Sequence, residues 1–272
     1  MLNLLVSIKQ VPDTTNIRIN PETGTLIREG VPAVINPYDV SALSLACHLK
    51  KTFGGKITVI TMGPPQARLA LKEAVEYFAD RVILLTDRKF AGADTLATSY
   101  TLAEAIKYLE KTDHPFDLYL FGKQAIDGDT AQVGPGVAAR LNVPVITYTI
   151  KIEMLDLEKR KIVVHRKTEK GIEVLSAKLP VLLTCEKEAG HPVFSPLSAI
   201  LQAQKTEPEV FGADSPIPFE PNRLGLKGSP TRVHKVYTPE LKKQGKIISI
   251  DEVGIEAAVE EVVKLLKAKG VL

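Results

Sequence analysis

Residues 117–130 read Asp117-Leu118-Tyr119-Leu120-Phe121, then Gly122-Lys123-Gln124-Ala125-Ile126-Asp127-Gly128-Asp129-Thr130. A short apolar run is followed by a polar turn containing two glycines. A helix-like run then extends from Ala131 to Arg140. Strand, polar loop and helix in that order mark the place where open α/β sheets bind ligands. The helix start presents unpaired backbone N–H groups and the positive end of its dipole, which suits phosphate. The loop also carries Lys123, Gln124, Asp127, Asp129 and Thr130, more polar chemistry than a turn needs.

The same alternation extends in both directions. Leu2–Ile8, Lys56–Thr61 and Arg81–Thr86 are apolar runs of strand length. Between them lie stretches with helical spacing. Asn36-Pro37 starts the first, with Asn36 as N-cap and Pro37 at the first helical position, and Gly54-Gly55 ends it. Gln66–Ala79 reads as a second helix, and Asp94 caps a third that runs through Tyr108. Strands alternating with helices predict a parallel sheet covered on both faces, an α/β fold. After Val143 the pattern changes. Val145–Met154 and Lys161–Lys167 read as a hairpin across the charged turn 155–160, and Val181–Cys185 as a last buried strand. Residues 186–246 are rich in Pro, Gly and Lys with little periodicity, and read as an extended arm lying on a partner. Ile255, Ala258, Val259, Val262, Val263 and Leu266 form one face of a C-terminal helix, with Asp251 as its cap. The expected organisation is a nucleotide-binding domain over 1–188 and an arm and helix over 189–272.

Composition narrows the class. The chain has 272 residues, 44% hydrophobic and 25% charged, as expected of a globular protein. A net charge of +3 gives no strong field for a polyanion. The basic segment Lys159–Lys170 alternates with Ile162, Val163 and Val164 and lacks stacking aromatics, so it reads as a solvated hairpin face and not as a nucleic-acid surface. Cys47 and Cys185 form no CxxC, and the five histidines form no short-spaced cluster, so neither a disulfide framework nor a metal site is expected. The start, Met1–Lys9, has too short an apolar run for a signal peptide and no basic n-region. No stretch reaches membrane-spanning length. A cytoplasmic protein without membrane insertion is the expectation.

There is no GxGxxG after the first strand, no GxxxxGK[ST] and no GxSxG. What remains is a set of turns at strand ends: Ser7–Val11, Thr61–Pro65 and Gly122–Thr130. If the first strand is central, these turns meet at the topological switch point, where the Asn36 helix start can join them. Each residue also has a plain structural reading: Ser7 as a core-edge residue, Asn36 as an N-cap, Met62 as core filling, the loop as a solvated turn.

The stretch Gly122-Lys-Gln-Ala-Ile-Asp127 followed by Gly128-Asp-Thr130 resembles the nucleotide loop of the β subunit of electron transfer flavoprotein. Val6-Ser-Ile-Lys-Gln-Val-Pro-Asp13, Asn36-Pro-Tyr-Asp39, Met62-Gly-Pro-Pro-Gln66 and Lys178-Leu-Pro180 resemble further segments of that family, in the same order. The resemblance covers roughly residues 1–188 well and the tail weakly. It implies a Rossmann-like sheet of the adenine nucleotide alpha hydrolase-like type. The cofactor site it implies is built from Ser7, Asn36, Tyr38, Asp39, Met62, Gly122, Lys123, Gln124, Asp127, Gly128, Asp129, Thr130, Gln132 and Val133, with no catalytic nucleophile and no metal. It also implies an α subunit that carries an electron-transferring FAD, and a flavin dehydrogenase, acting on acyl-CoA or similar, as acceptor or donor. The β-subunit site holds AMP in many members and a second FAD, reduced by NADH, in the electron-bifurcating branch. Val11-Pro-Asp13, Asn36-Pro-Tyr-Asp39 and Asp127–Gln132 resemble the bifurcating branch, so FAD is expected and AMP is the alternative. Such a subunit is no enzyme alone. The segment Gly190–Lys205 lacks the arginine and most lysines of the family's dehydrogenase-docking stretch, which leaves the partner open. A nucleotide-binding sensor resembling universal stress proteins is the competing class.

Overall fold

A computed structural model of the chain describes residues 1–13, 18–19, 26–27, 33–191, 193–232 and 247–272. The strands are β1 (Leu2–Ser7), β2 (Gln10–Pro12), β3 (Arg18–Ile19), β4 (Leu26–Ile27), β5 (Ala33–Ile35), β6 (Gly55–Met62), β7 (Arg81–Leu85), β8 (Leu118–Gly122), β9 (Val145–Asp156), β10 (Lys161–Thr168), β11 (Gly171–Lys178), β12 (Val181–Cys185) and β13 (Glu209–Phe211). The helices are α1 (Pro37–Phe53), α2 (Arg68–Glu76), α3 (Thr95–Thr112), α4 (Val133–Leu141), α5 (Leu197–Lys205), α6 (Ile250–Val253) and α7 (Ile255–Ala268).

Nine of the described strands form one sheet, in the order β11-β10-β9-β12-β8-β1-β6-β7-β13. β1 pairs in parallel with β6 on one side and β8 on the other. The chain leaves β1 through β6 and β7, then returns to the opposite flank for β8. The strand order therefore reverses beside β1, and the switch point lies between β1 and β8, as the loop pattern predicts. The strands are apolar without strict alternation because both faces are covered. Leu4, Val6, Val59 and Leu120 face the cluster with α1 and α2, while Leu5, Ile60, Tyr119 and Phe121 face the cluster with α3 and α4. Each fully buried leucine or isoleucine here contributes about 1.5–3 kcal/mol.

Local chemistry sets the element ends. Pro37 opens α1, and Gly54 closes it at φ 69°. Asp94 caps α3 by accepting from the N–H groups of Leu96 and Ala97. The helix expected over 66–79 is a 3-10 turn at Pro65–Ala67 followed by α2, which ends before Phe78 enters the left-handed region at φ 64°. The expected hairpin is a three-stranded antiparallel meander, because β11 adds to β10. β11 gives no burial signal: nearly every residue on it is exposed.

The first compact unit spans residues 1–235, past the boundary near 188 suggested by composition. Within it α5 packs on α2, and β13 extends the sheet beside β7, where the Arg81 guanidinium donates two 2.7 Å bonds to Glu209. The second unit, residues 236–272, contains α6 and α7. Asp251 does not cap α7: it lies inside α6, and Gly254 occupies the cap position. No helix of the described residues is long and apolar enough to cross a membrane.

Candidate functional site

At the carboxyl ends of β1 and β8 the two loops are tied together by the start of α1. Asp39 sits in its first turn and is buried. Its carboxylate accepts the Lys9 N–H at 2.7 Å on Oδ2 and the Gly122 N–H at 3.0 Å on Oδ1. One side chain thus closes both strand ends across the switch point. Burial raises the Asp39 pKa to about 7, against the opposing pull of the Lys9 N–H, the Asn36 side chain and the Gly122 N–H. Gly122 is required by this contact: a Cβ there would lie 2.1 Å from Asp39 Oδ1.

Asn36, 1% exposed, occupies the N-cap position of α1, but its side chain does not cap the helix. Its backbone oxygen accepts from Asp39 and Val40 instead. The amide reaches across the crevice. Nδ2 donates to the Gln124 carbonyl at 2.8 Å, and Oδ1 accepts the Ile126 N–H at 3.1 Å. The expected capping role is therefore replaced by a clamp on the 124–126 backbone, which buries both ends of the amide with partners.

Beyond that clamp the loop is open to solvent. Asp127, Gly128, Asp129 and Thr130 are exposed. Both acids are already engaged: Asp127 pairs with Lys9 Nζ at 2.6 Å, and Asp129 accepts from Gln124 Nε2 at 2.7 Å. Asp129 and Ala131 adopt φ 51° and 54°, a left-handed kink that leads the chain into α4. α4 begins after Gln132 with no side-chain cap, so the N–H groups of Val133 and Gly134 head its positive end. Gln132 Oε1 instead accepts from Thr95 Oγ1 at 2.9 Å, at the start of α3. Gly134 and Gly136 let α4 sit close: a Cβ at 134 would be 2.7 Å from Thr184, and at 136 2.9 Å from Ser99.

Strand alternation puts Ser7 on the face of Leu5, and Met62 on the face of Ile60, both toward α3 and α4. Ser7 and Met62 therefore share the α3/α4 side of the crevice with Val133, which packs on the same cluster, and Gln132, which is bonded to Thr95, while Asn36 and Asp39 support it from the α1 side. Lys123 and Tyr38 are directed elsewhere. Lys123 Nζ is 3.0 Å from Glu186 Oε1 and lies 5.2 Å and 5.6 Å from the ring centroids of Tyr148 and Tyr38. Lys187 approaches the Tyr38 ring at 5.4 Å. This cluster stands at the carboxyl end of β12, beside Tyr148 of β9, which lies in the left-handed region at φ 57°.

Lys9, Thr95, Glu186 and Tyr148 were not among the expected site residues. Lys9 sits two positions after Ser7 in a turn already singled out, and Thr95 directly follows the visible cap Asp94. Glu186 and Tyr148 gave no comparable signal. No group of three or more metal-ligating side chains converges among the described residues.

Residues 23–216 match the family model described as electron transfer flavoprotein domain. The electron transfer flavoprotein subunit beta of Thermoanaerobacterium thermosaccharolyticum is 46% identical over the whole of both chains. The protein of the same name from Clostridium acetobutylicum is 49% identical, over 97% of this chain and 98% of its own. The caffeyl-CoA reductase-Etf complex subunit CarD of Acetobacterium woodii is 45% identical, over 91% of this chain and 92% of its own. A match of this extent, on a fold whose switch point is built by the matching loops, means that the chain belongs to the electron transfer flavoprotein family, among its β subunits.

Proposed function

We propose that the β1/β8 crevice holds FAD, and that the chain works with an α subunit to pass electrons from NADH to a flavin dehydrogenase and a second acceptor. The observation that carries this reading is the pairing of Asp127 with Lys9 and of Asp129 with Gln124 beside an uncapped α4. Two carboxylates would repel a phosphate, but here the Asp127 charge is offset by Lys9 and the Asp129 carboxylate is held by the Gln124 amide before any ligand arrives. The N–H groups of Val133 and Gly134 are the natural phosphate donors, with Gln132, Asp129 and Thr130 around the sugar and Ser7 and Met62 along the ring system. Asn36 and Asp39 hold the loop backbones in place, and Gly122 keeps the strand end thin.

The bound flavin would supply hydride acceptance and one-electron release, and the protein supplies orientation and exclusion of water. Lys123 and Tyr38 are engaged with Glu186, Tyr148 and Lys187 at the end of β12, where a partner surface fits better than the cofactor. The relative named for a caffeyl-CoA reductase complex supports a CoA-linked dehydrogenase as partner. Residues 189–272 are the proposed contact with the α subunit. Ile255, Val259, Val262 and Leu265 of α7, each about half exposed, support this.

Purification with the α subunit, denaturation and chromatography test the reading. Two FAD per heterodimer, with rapid reduction by NADH, is the expected result. One FAD plus AMP in a complex inert to NADH would make the chain a non-bifurcating carrier, with the crevice assignment intact. Recovery of no nucleotide from a folded complex beyond the α-subunit FAD would overturn the crevice assignment.

A further inference from the structure

A groove of about 530 Å³ lies between α3, the end of α4 and residues 222–230. None of its lining residues belongs to the crevice. Arg140, Arg223 and Lys227 line it, and no carboxylate does. The two guanidiniums converge on one buried ring: the Arg223 guanidinium carbon is 4.0 Å from the Tyr100 centroid, and that of Arg140 is 5.7 Å from it. The Tyr100 hydroxyl accepts the Glu220 N–H at 2.8 Å, which fixes the 220–223 segment against α3.

The charges around this ring do not balance. Arg140 donates only to neutral oxygens, Ser99 Oγ and the Leu96 carbonyl, each at 3.2 Å. Arg223 Nη1 donates to Glu220 Oε1 at 3.3 Å, a solvent-exposed and therefore weak ion pair. Glu104 is paired with Lys107 at 2.9 Å. Asp94, at the start of α3, has its oxygens occupied by the N–H groups of Leu96 and Ala97 and by the N–H and hydroxyl of Thr231. Two guanidiniums held at one ring repel each other, and burial, then Arg223, lowers the Arg140 pKa against the weaker pull of Glu104 and Tyr100. An anion would relieve that repulsion. The groove volume falls within the range of small-molecule sites, about 300–1,000 Å³.

We propose that this groove is a second anion site, which takes the phosphate groups of a nucleotide between Arg140, Arg223 and Lys227. Guanidinium forks match phosphate oxygens in pairs, and the exposed face of Arg223 can stack a base. The two guanidiniums converge on one ring, with Lys227 on the same groove, instead of spreading along a strip, which favours a compact polyphosphate over an acidic peptide segment.

The test is calorimetric titration of the heterodimeric complex with sodium pyrophosphate at low salt, with ADP as a second arm. Saturable one-to-one pyrophosphate binding is expected, with ADP at least as tight. Arg223→Gln alters an exposed side chain and should weaken both about tenfold, as loss of one charge-assisted bond implies. Arg223→Gln with Lys227→Gln should weaken them further, while the nucleotide content of the crevice stays unchanged. Unchanged affinity in the double variant, no saturable pyrophosphate binding, or exclusion of ADP would overturn the proposal. So would binding of hexaglutamate in place of pyrophosphate.

Discussion

α1 and α4 begin at the same crevice and are built in opposite ways. At the start of α1 the polar side chains are buried and spent on the chain itself: Asp39 on two backbone N–H groups, Asn36 on a carbonyl and an N–H. Ahead of α4, residues 127–130 and Gln132 are exposed, the helix carries no side-chain cap, and the nearby acids are paired with Lys9 and Gln124. One helix start is a brace and the other is the proposed receptor. Residues named together as a binding site on sequence grounds thus divide into those that hold the backbone and those left available to a ligand.

Substitutions on the two sides should behave differently, and the largest effect is expected at Gly122. Gly122→Ala would push a methyl group to 2.1 Å from Asp39 Oδ1 and 2.8 Å from Tyr38 Cβ. About 3 kcal/mol of stability should be lost, read from urea unfolding. Wild-type stability in this variant would mean that the brace is loose. Asp39→Asn ranks next, at about 2 kcal/mol, because an amide offers one acceptor to two N–H donors. This variant also reports on pH. The Asp39 carboxyl titrates at about 7 in the folded chain against an ordinary 3.8. Between those values the folded state holds a proton that the unfolded state has released. The contribution is full below about pH 4 and falls as pH rises to 7. The stability margin of wild type over Asp39→Asn should therefore shrink between about pH 4 and pH 7, and a margin that grows would refute the assignment.

Asn36→Ala should cost about 1–2 kcal/mol and speed hydrogen exchange at the Ile126 amide, which loses its acceptor. Protection unchanged at Ile126 would show that the clamp is not needed. Thr130→Trp, on the receptor side, should change stability by no more than about 0.5 kcal/mol. The same substitution should lower the nucleotide recovered from the purified complex. Full occupancy in a stable Thr130→Trp protein would erase the distinction between the two helix starts.

The parallel core was legible because buried strands of α/β sheets are apolar runs, and Leu2–Ile8, Lys56–Thr61 and Asp117–Phe121 are such runs. The switch point followed from the same pattern, since the polar loops fall at strand ends. The roles of Asn36 and Asp39 were not legible. Asn-Pro ahead of a helix reads as a cap, and nothing local reveals that the amide serves residues 88 and 90 positions away. β11 and β13 were missed for different reasons. β11 is exposed along nearly its whole length, and β13 has three residues, too few for any period.

The bonds that shape the crevice also set when it can exist. Lys9 meets Asp127 across 118 positions, Asn36 meets Ile126 across 90, and Asp39 meets Gly122 across 83. None can form until β8 has paired with β1. A growing chain that has made only β1, α1 and β6 contains the brace residues with nothing to brace, and Asp39 faces only one of its two partners. Contacts this distant in sequence carry a loop-closure cost before they return any stability, so they form slowly. The crevice is accordingly expected to close late in folding, and the nucleotide proposed for it would meet a sheet that is already assembled, as a lock on a finished fold.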